Sequence, residues 1–128
     1  MIAVIGGGPV GSYAAYLLAK KGHQVELFEE HKEIGRPVAC TGILTPQIGE
    51  VVKLSKEFHI NTCTRTRVYS PNGKSVEIKI KPNPIFDRAN FDAFIAKMAE
   101  DEGVKINLSH KLKALDGKKI DVNGKILE

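Results

Sequence analysis

A chain of 128 residues with 42% hydrophobic and 27% charged residues has the composition of an ordinary globular domain, which excludes a disordered or fibrous protein. No apolar run approaches the ~18 residues that a membrane-spanning helix needs, and the N-terminal residues predict no signal peptide. The two cysteines provide neither a disulfide framework nor a metal cluster, so we expect a cytoplasmic protein without a metal.

The net charge of +4 comes from basic residues that are scattered along the chain. No aromatic residues interleave with them, so the sequence predicts no nucleic-acid partner. The same charge is compatible with peripheral contact with an anionic membrane surface.

The first 30 residues predict a βαβ unit. Residues 1–5 are almost wholly apolar, as in a parallel strand buried on both faces. Pro9 suits the first position of a helix over residues 10–21, and Gly22 is a good helix stop. Residues 24–29 alternate apolar and polar side chains and indicate a second strand.

The middle of the chain predicts a loop, a short helix and a hairpin. Residues 30–42 have no period and contain glycine and proline, whereas residues 45–54 indicate a short helix. Residues 64–70 and 75–80 are predicted strands, joined by a turn that contains Asn72-Gly73.

A second amphipathic helix is predicted over residues 90–102, with Asn90 or Asp87 as its cap and Gly103 as its end. Its predicted buried stripe is Phe91, Phe94, Ile95, Met98 and Ala99. Residues 104–108 indicate another sheet strand, and the remainder a small β-meander. The fold class is therefore α/β: a Rossmann-like parallel sheet with a β-meander and an inserted β-hairpin.

The sequence Gly6-Gly7-Gly8-Pro9-Val10-Gly11 fits the pattern GxGxxG between a predicted strand and a predicted helix, which is the context that gives this pattern its meaning. Gly6 permits a tight turn, Gly8 lets the backbone approach a pyrophosphate, and Gly11 lets the helix pack closely on the sheet. The backbone N–H groups at the helix start, and those of the turn before Pro9, then face the phosphates.

Glu29 follows Gly11 by 18 residues and ends the second strand, where a carboxylate can accept hydrogen bonds from ribose hydroxyls. Its charge would repel a 2′-phosphate, which disfavours NADP. Glu30 is an alternative for the same role. The glycine motif and the acid at the end of the second strand together predict that the ligand contains an ADP moiety. They do not distinguish FAD from NAD.

Two further segments carry a family resemblance. Residues 33–43 (Glu-Ile-Gly-Arg-Pro-Val-Ala-Cys-Thr-Gly-Ile) and residues 86–92 (Phe-Asp-Arg-Ala-Asn-Phe-Asp) resemble the N-terminal part of the geranylgeranyl reductase family. The resemblance implies FAD as cofactor, a fold similar to p-hydroxybenzoate hydroxylase, and saturation of prenyl double bonds in ether lipids or chlorophyll-type tails. A prenyl-lipid substrate and an electron donor are the partners it implies.

The same resemblance implies site residues. The segment from Arg36 to Gly42 would line the flavin side, Cys40 would lie near the isoalloxazine as the one candidate catalytic residue, and Arg88 would help to hold the cofactor. Without the resemblance, a lone loop cysteine such as Cys40 is more often a small buried residue than a reactive thiol. Cys63, between two threonines near a predicted strand start, is expected to be structural. The four histidines show no spacing that suggests a ligand set or an acid/base pair.

Members of that family are considerably longer, so residues 1–128 are interpreted as the N-terminal part of an FAD-binding domain, apparently truncated, without a substrate domain. Activity of the chain by itself is not expected. The alternatives are another FAD enzyme of the same fold, such as an aromatic hydroxylase, a non-catalytic adenine-nucleotide-binding fragment, and an NAD-binding module.

Overall fold

The computed structural model describes residues 1–53 and 55–127. The elements in chain order are β1 (Ile2–Ile5), α1 (Pro9–Lys20), β2 (Val25–Phe28), α2 (Ile48–Val51), β3 (His59–Tyr69), β4 (Ser75–Phe86), α3 (Arg88–Asp101), β5 (Lys105–Asn107), β6 (Leu112–Asp116), β7 (Lys119–Val122) and β8 (Lys125–Leu127). The chain divides into two compact units, one formed by Met1–Val38 with the chain from Ala89 onward and the other by Ala39–Arg88. In the described part of the chain, no helix is both long and apolar enough to cross a membrane.

The first unit contains a three-stranded parallel sheet in the order β1-β2-β5. Ile2 pairs with Val25 and Ile5 with Phe28, so β1 and β2 end together at one edge of the sheet. Helix α1 connects these two strands, and Pro9 occupies its first turn as the sequence predicts. The predicted βαβ unit and its Rossmann-like parallel sheet are therefore confirmed.

The core of this unit lies where α1 and α3 meet the sheet. Leu27 and Ala15 are completely buried, because the central strand is covered by a helix face of small side chains. The buried cluster comprises Ala15, Val25, Leu27, Ala99 and Val104. A second cluster joins Phe28 to the meander residues Ile120 and Val122.

Strand β1 differs from its prediction. Its residues are only partly buried, and Ile5 is 43% exposed, because within residues 1–53 and 55–127 it pairs with β2 alone and forms an edge. The apolar run of residues 1–5 correctly predicts a strand, but the full burial that it implied is wrong for this structure. Burial is instead concentrated in β2, which has a neighbour on each side.

The predicted hairpin forms the antiparallel ribbon β3–β4 in the second unit, and both strands are longer than predicted. β3 begins at His59 and β4 continues to Phe86, with bulges in the pairing between His59 and Asn61 and between Cys63 and Arg65. Strand β4 contains Pro82 and Pro84, which an edge of a ribbon tolerates where no backbone N–H is needed for pairing, and an isolated bridge joins Ile85 of β4 to Ile43. The buried side chains Phe58 and Phe86 pack edge to face at 5.1 Å.

Helix α3 begins two residues earlier than predicted, so Asn90 lies inside the helix and is not its cap, and the buried face is rotated. Phe91, Ile95 and Ala99 are buried as expected, together with Asp92 and Ala96, whereas Phe94 and Met98 are only half-buried. Gly103 follows the helix with a φ of +90°, which suits a glycine stop. Strands β6, β7 and β8 form the predicted antiparallel meander. Helix α2 spans Ile48–Val51 rather than residues 45–54, and position 54 lies outside the described residues.

Candidate nucleotide-binding site

Two glycines of the turn between β1 and α1 have the backbone geometry that the motif predicts. Gly6 adopts a φ of +98°, which an L side chain rarely tolerates. A Cβ on Gly11 would overlap the carbonyl oxygen of Gly6, so the helix can approach the turn only without a side chain there. The Gly6 N–H donates to the Phe28 carbonyl oxygen at 2.8 Å and fixes the turn to the end of β2.

Gly8 differs from its neighbours because no described atom of the protein requires it to be glycine. Its φ of −67° is open to any residue, and a Cβ there would meet no described atom within 4 Å. The space that a side chain would fill therefore stays open beside the backbone at the start of α1. This is the cradle that a pyrophosphate needs.

The start of α1 has unused donor capacity. Gly8 is the N-cap residue, no described side chain caps the helix, and the first turn contains no acidic residue. The first N–H groups of a helix have no partner within the helix and carry the positive end of its dipole. An anion placed next to Gly8 would satisfy both the donors and the dipole.

Glu29 lies beside this turn, directly after β2. Its Oε2 accepts a hydrogen bond of 2.6 Å from the Gly7 N–H, and its Oε1 accepts one of 2.9 Å from the His31 N–H. Burial acts to raise the pKa of Glu29, but these bonds and a contact with the His31 ring hold the pKa below its ordinary value. Glu29 is therefore a charged acceptor at neutral pH.

Glu30 lies in a different environment. Its side chain is 46% exposed, and its carboxylate forms an ion pair of 2.7 Å with Lys111. Only 12% of the Glu29 side chain is exposed, and Glu29 alone bonds to the glycine turn. Of the two acids that the sequence left open for the ribose, the geometry favours Glu29.

A cleft of about 340 Å³ opens at the carboxyl ends of β1 and β2. Gly6 and Glu29 line one part of it, and the segment that leads into β6 lines another. The lining residues are Ile5, Gly6, Phe28, Glu29, Glu30, His31, His110, Lys111 and Leu112. Ligands of open parallel sheets bind at this edge, outside the carboxyl ends of the strands.

The residues that the family resemblance adds are divided between the two units. Arg36 belongs to the first unit, is mostly exposed, and its Nε donates to Glu33 at 3.1 Å. Cys40 and Gly42 belong to the second unit, where the Cys40 side chain is exposed. Arg88 is half-buried and begins α3. Their predicted roles toward a flavin stay predictions.

Gly42 also has a purely structural reason to be glycine. Its φ is +78°, and a Cβ there would overlap the carbonyl oxygen of Phe86. The Phe86 N–H donates to the Gly42 carbonyl oxygen at 2.9 Å, which brings the two backbones together. Gly42 therefore serves the packing of the second unit whether or not it faces a cofactor.

Several residues near the cleft were not singled out from the sequence. Gly7 is buried, and a Cβ there would collide with Ile34, while its N–H holds Glu29. The fully buried Ser12 hydroxyl donates to the Gly7 carbonyl oxygen at 3.0 Å and holds the turn. His31 could have been noticed, since it follows the strand-end acid by two residues. His110 reaches the cleft only through the tertiary fold.

Comparison with known proteins agrees with this geometry. The family of NAD(P)-binding Rossmann-like domains matches residues 4–70, more than half of the chain. This chain belongs to that family. A Rossmann-like domain holds a dinucleotide, and the glycine turn and Glu29 are the parts that such a domain needs.

The relatives of this Rossmann-like domain include prenyl reductases. The digeranylgeranylglycerophospholipid reductase of Methanosarcina acetivorans is 32% identical over 120 residues, which are 89% of this chain and 30% of that protein. A geranylgeranyl bacteriochlorophyll reductase-like protein of Thermoplasma acidophilum has a structure that matches with a TM-score of 0.78 and 29% identity, over 97% of this chain and 35% of that one. The resemblance to the N-terminal part of geranylgeranyl reductases is confirmed.

A flavoenzyme of other chemistry shares the fold. The myxobacterial chondrochloren halogenase, described as FAD-dependent, matches with a TM-score of 0.69 and 22% identity over 98% of this chain and 34% of its own. This chain thus spans about a third of the length of each of these three proteins. The cofactor of this chain is of the flavin or nucleotide class.

Proposed function

We propose that this chain binds FAD through its ADP half and is the FAD-binding portion of a flavin-dependent oxidoreductase that reduces prenyl double bonds. The observation that carries the proposal is an open cradle at Gly8 together with the charged acceptor Glu29, which is hydrogen-bonded to the same glycine turn through Gly7. Cradle and acceptor correspond to the pyrophosphate and the ribose of one ADP moiety.

Each part of the turn has a role in holding the nucleotide. The backbone from Gly8 into the first turn of α1 would donate N–H groups to the pyrophosphate, and Gly6 gives the turn its shape. Glu29 would accept hydrogen bonds from the ribose hydroxyls. Its negative charge in the cleft repels a 2′-phosphate. The unphosphorylated ribose of FAD therefore fits better than the phosphorylated ribose of NADP.

The choice of FAD and of prenyl reduction is supported by the relatives rather than by the cleft. Two of the three are named as reductases of geranylgeranyl groups or as similar to one, and the third is FAD-dependent. When bound, reduced FAD supplies hydride chemistry, while the protein binds and orients the cofactor. The predicted roles of Arg36, Cys40, Gly42 and Arg88 at the flavin half, a prenyl-lipid substrate, an electron donor and peripheral membrane contact belong to this proposal.

The test is a titration of the full chain with FAD, NAD and ADP, read by calorimetry and flavin fluorescence. We expect FAD and ADP to bind and FAD to bind more tightly than NAD. Gly8→Val should abolish binding, because its side chain would fill the cradle, while the chain keeps its melting temperature. Binding of NAD in preference to FAD would contradict the proposal.

An NAD-binding module is the second candidate, and the matching family of NAD(P)-binding domains favours it. Both ligands share the ADP moiety, so the glycine turn and Glu29 serve either one. They differ in the second half of the dinucleotide. The ratio of the two dissociation constants in the same titration therefore decides between them.

A further inference from the structure

The acceptor positions of Glu29 are mostly taken. A carboxylate offers about four lone-pair positions, two on each oxygen. The Gly7 N–H takes one on Oε2 at 2.6 Å. The His31 N–H at 2.9 Å and the His31 Nδ1 at 2.6 Å both use Oε1. One position therefore remains, and it is on Oε2.

The three donors differ in how firmly they are held. The backbone N–H groups of Gly7 and His31 are fixed by the fold, since Gly6 bonds to the end of β2 and the His31 carbonyl oxygen accepts from the Ser109 N–H at 2.9 Å. The His31 ring is 47% exposed, and rotation of its side chain removes it from Glu29 without any change of the backbone. It is the one replaceable donor of the three.

A ribose presents two neighbouring hydroxyl groups, and a carboxylate that recognises both needs one acceptor position on each oxygen. The position on Oε1 is covered by the His31 ring. We infer that the His31 imidazole occupies the place of one ribose hydroxyl on Glu29, so that an adenine nucleotide binds with both hydroxyls only after displacing the ring. The inference rests on the proposed function, because it assigns the ribose to Glu29.

The other charged side chains of the cleft are paired with each other and not with the His31 ring. The cleft beside the ring also contains Glu30, Lys111 and His110. Lys111 is bound to Glu30 at 2.7 Å, which leaves Glu29 as the bonded partner of the His31 ring. The ring therefore keeps the ribose acceptor hydrogen-bonded while no nucleotide is present. The ring acts on nucleotide binding through the Glu29 carboxylate and not through a contact of its own with the bound nucleotide.

The experiment compares ADP with 2′,3′-dideoxy-ADP, which lacks both ribose hydroxyls. Dissociation constants are measured by calorimetry for the full chain, for His31→Ala and for the control His23→Ala, which removes an exposed histidine after α1. We expect His31→Ala to bind ADP about tenfold more tightly, the effect of one hydrogen bond to a charged group. Its affinity for the dideoxy nucleotide, and both affinities of His23→Ala, should match those of the parent chain.

Three results would overturn the inference. An equal change for both nucleotides would show that the ring acts on the cleft in general and not on the hydroxyls. An unchanged or weaker affinity of His31→Ala for ADP, with the parent chain still binding ADP, would remove this inference and leave the proposed function intact. Failure of the parent chain and of His31→Ala to bind ADP would remove both.

Discussion

The Gly7 N–H and the Glu29 Oε2 are joined by a hydrogen bond of 2.6 Å between residues 22 positions apart. This bond ties the turn after β1 to the end of β2, so the two parts that an ADP moiety needs are held in one geometry. The Ser12 hydroxyl holds the same turn from the helix side. The site is therefore pre-formed in the backbone, with side chains contributing at Glu29 and Ser12.

Replacement of Glu29 by glutamine should weaken ADP binding by about tenfold or more. The amide group cannot accept from both backbone donors and loses the charge that strengthens a hydrogen bond to a hydroxyl. Glu30→Gln is the matched control, since it removes one neighbouring charge that is paired with Lys111. Calorimetry of both variants checks the prediction, and a larger loss in Glu30→Gln would transfer the ribose role to that acid.

Two glycines of the motif should respond oppositely to alanine. Gly8→Ala has an ordinary φ and open space, so we expect an unchanged melting temperature and ADP affinity reduced by at least about tenfold. Gly11→Ala forces a Cβ against the Gly6 carbonyl oxygen and should lower the free energy of unfolding by about 1–3 kcal/mol. Thermal and urea unfolding of both variants, beside the ADP titration, separates the two effects. Equal destabilisation would refute the distinction.

The stability of the chain should depend on pH through Glu29. Burial acts to raise its pKa, but bonds from His31 and Gly7 hold the folded-state pKa below the ordinary 4.5. The folded state then binds fewer protons, so the contribution is complete above pH 4.5 and is lost as the pH falls toward the folded-state pKa.

Urea unfolding at a series of pH values from 7 to 3 measures this dependence, and Glu29→Gln should flatten it. Glu26 contributes in the same direction, since hydrogen bonds from Lys105 and Asn107 outweigh the effect of burial and lower its pKa. Some pH dependence should therefore persist in the variant. An identical pH profile for variant and parent would show that Glu29 is not the group responsible.

Alkylation should distinguish the two cysteines. The exposed Cys40 should react with iodoacetamide before the partly buried Cys63, whose thiol lies 3.0 Å from the Arg65 carbonyl oxygen. If Cys40 lies beside the isoalloxazine, saturating FAD should slow its labelling while saturating ADP should not. Mass spectrometry of the labelled peptides reads both rates, with Cys63 as internal control. Equal labelling with FAD and ADP would withdraw the role predicted for Cys40.

Local sequence patterns are enough to predict the βαβ unit, the glycine turn and the acid at the end of β2. These features depend on interactions between near neighbours: Gly6 needs a positive φ, Pro9 suits a helix start, and alternation marks a strand. The turn geometry expected at Gly6 and the close packing expected at Gly11 are found because each depends on the side chain at one backbone position. The second helix and the meander were predictable for the same local reasons.

Which faces are buried and which side chains meet depends on contacts between segments that are distant in the chain. Full burial of β1 could not be judged from its own residues, because burial depends on which strands lie beside it. The rotated face of α3 and the lengths of β3 and β4 likewise depend on packing and pairing partners. The bond from Gly7 to Glu29 forms because parallel pairing brings the ends of β1 and β2 together. His110 reaches the cleft because its N–H bonds to the Glu29 carbonyl oxygen at 2.8 Å, a contact between distant segments that no local pattern encodes.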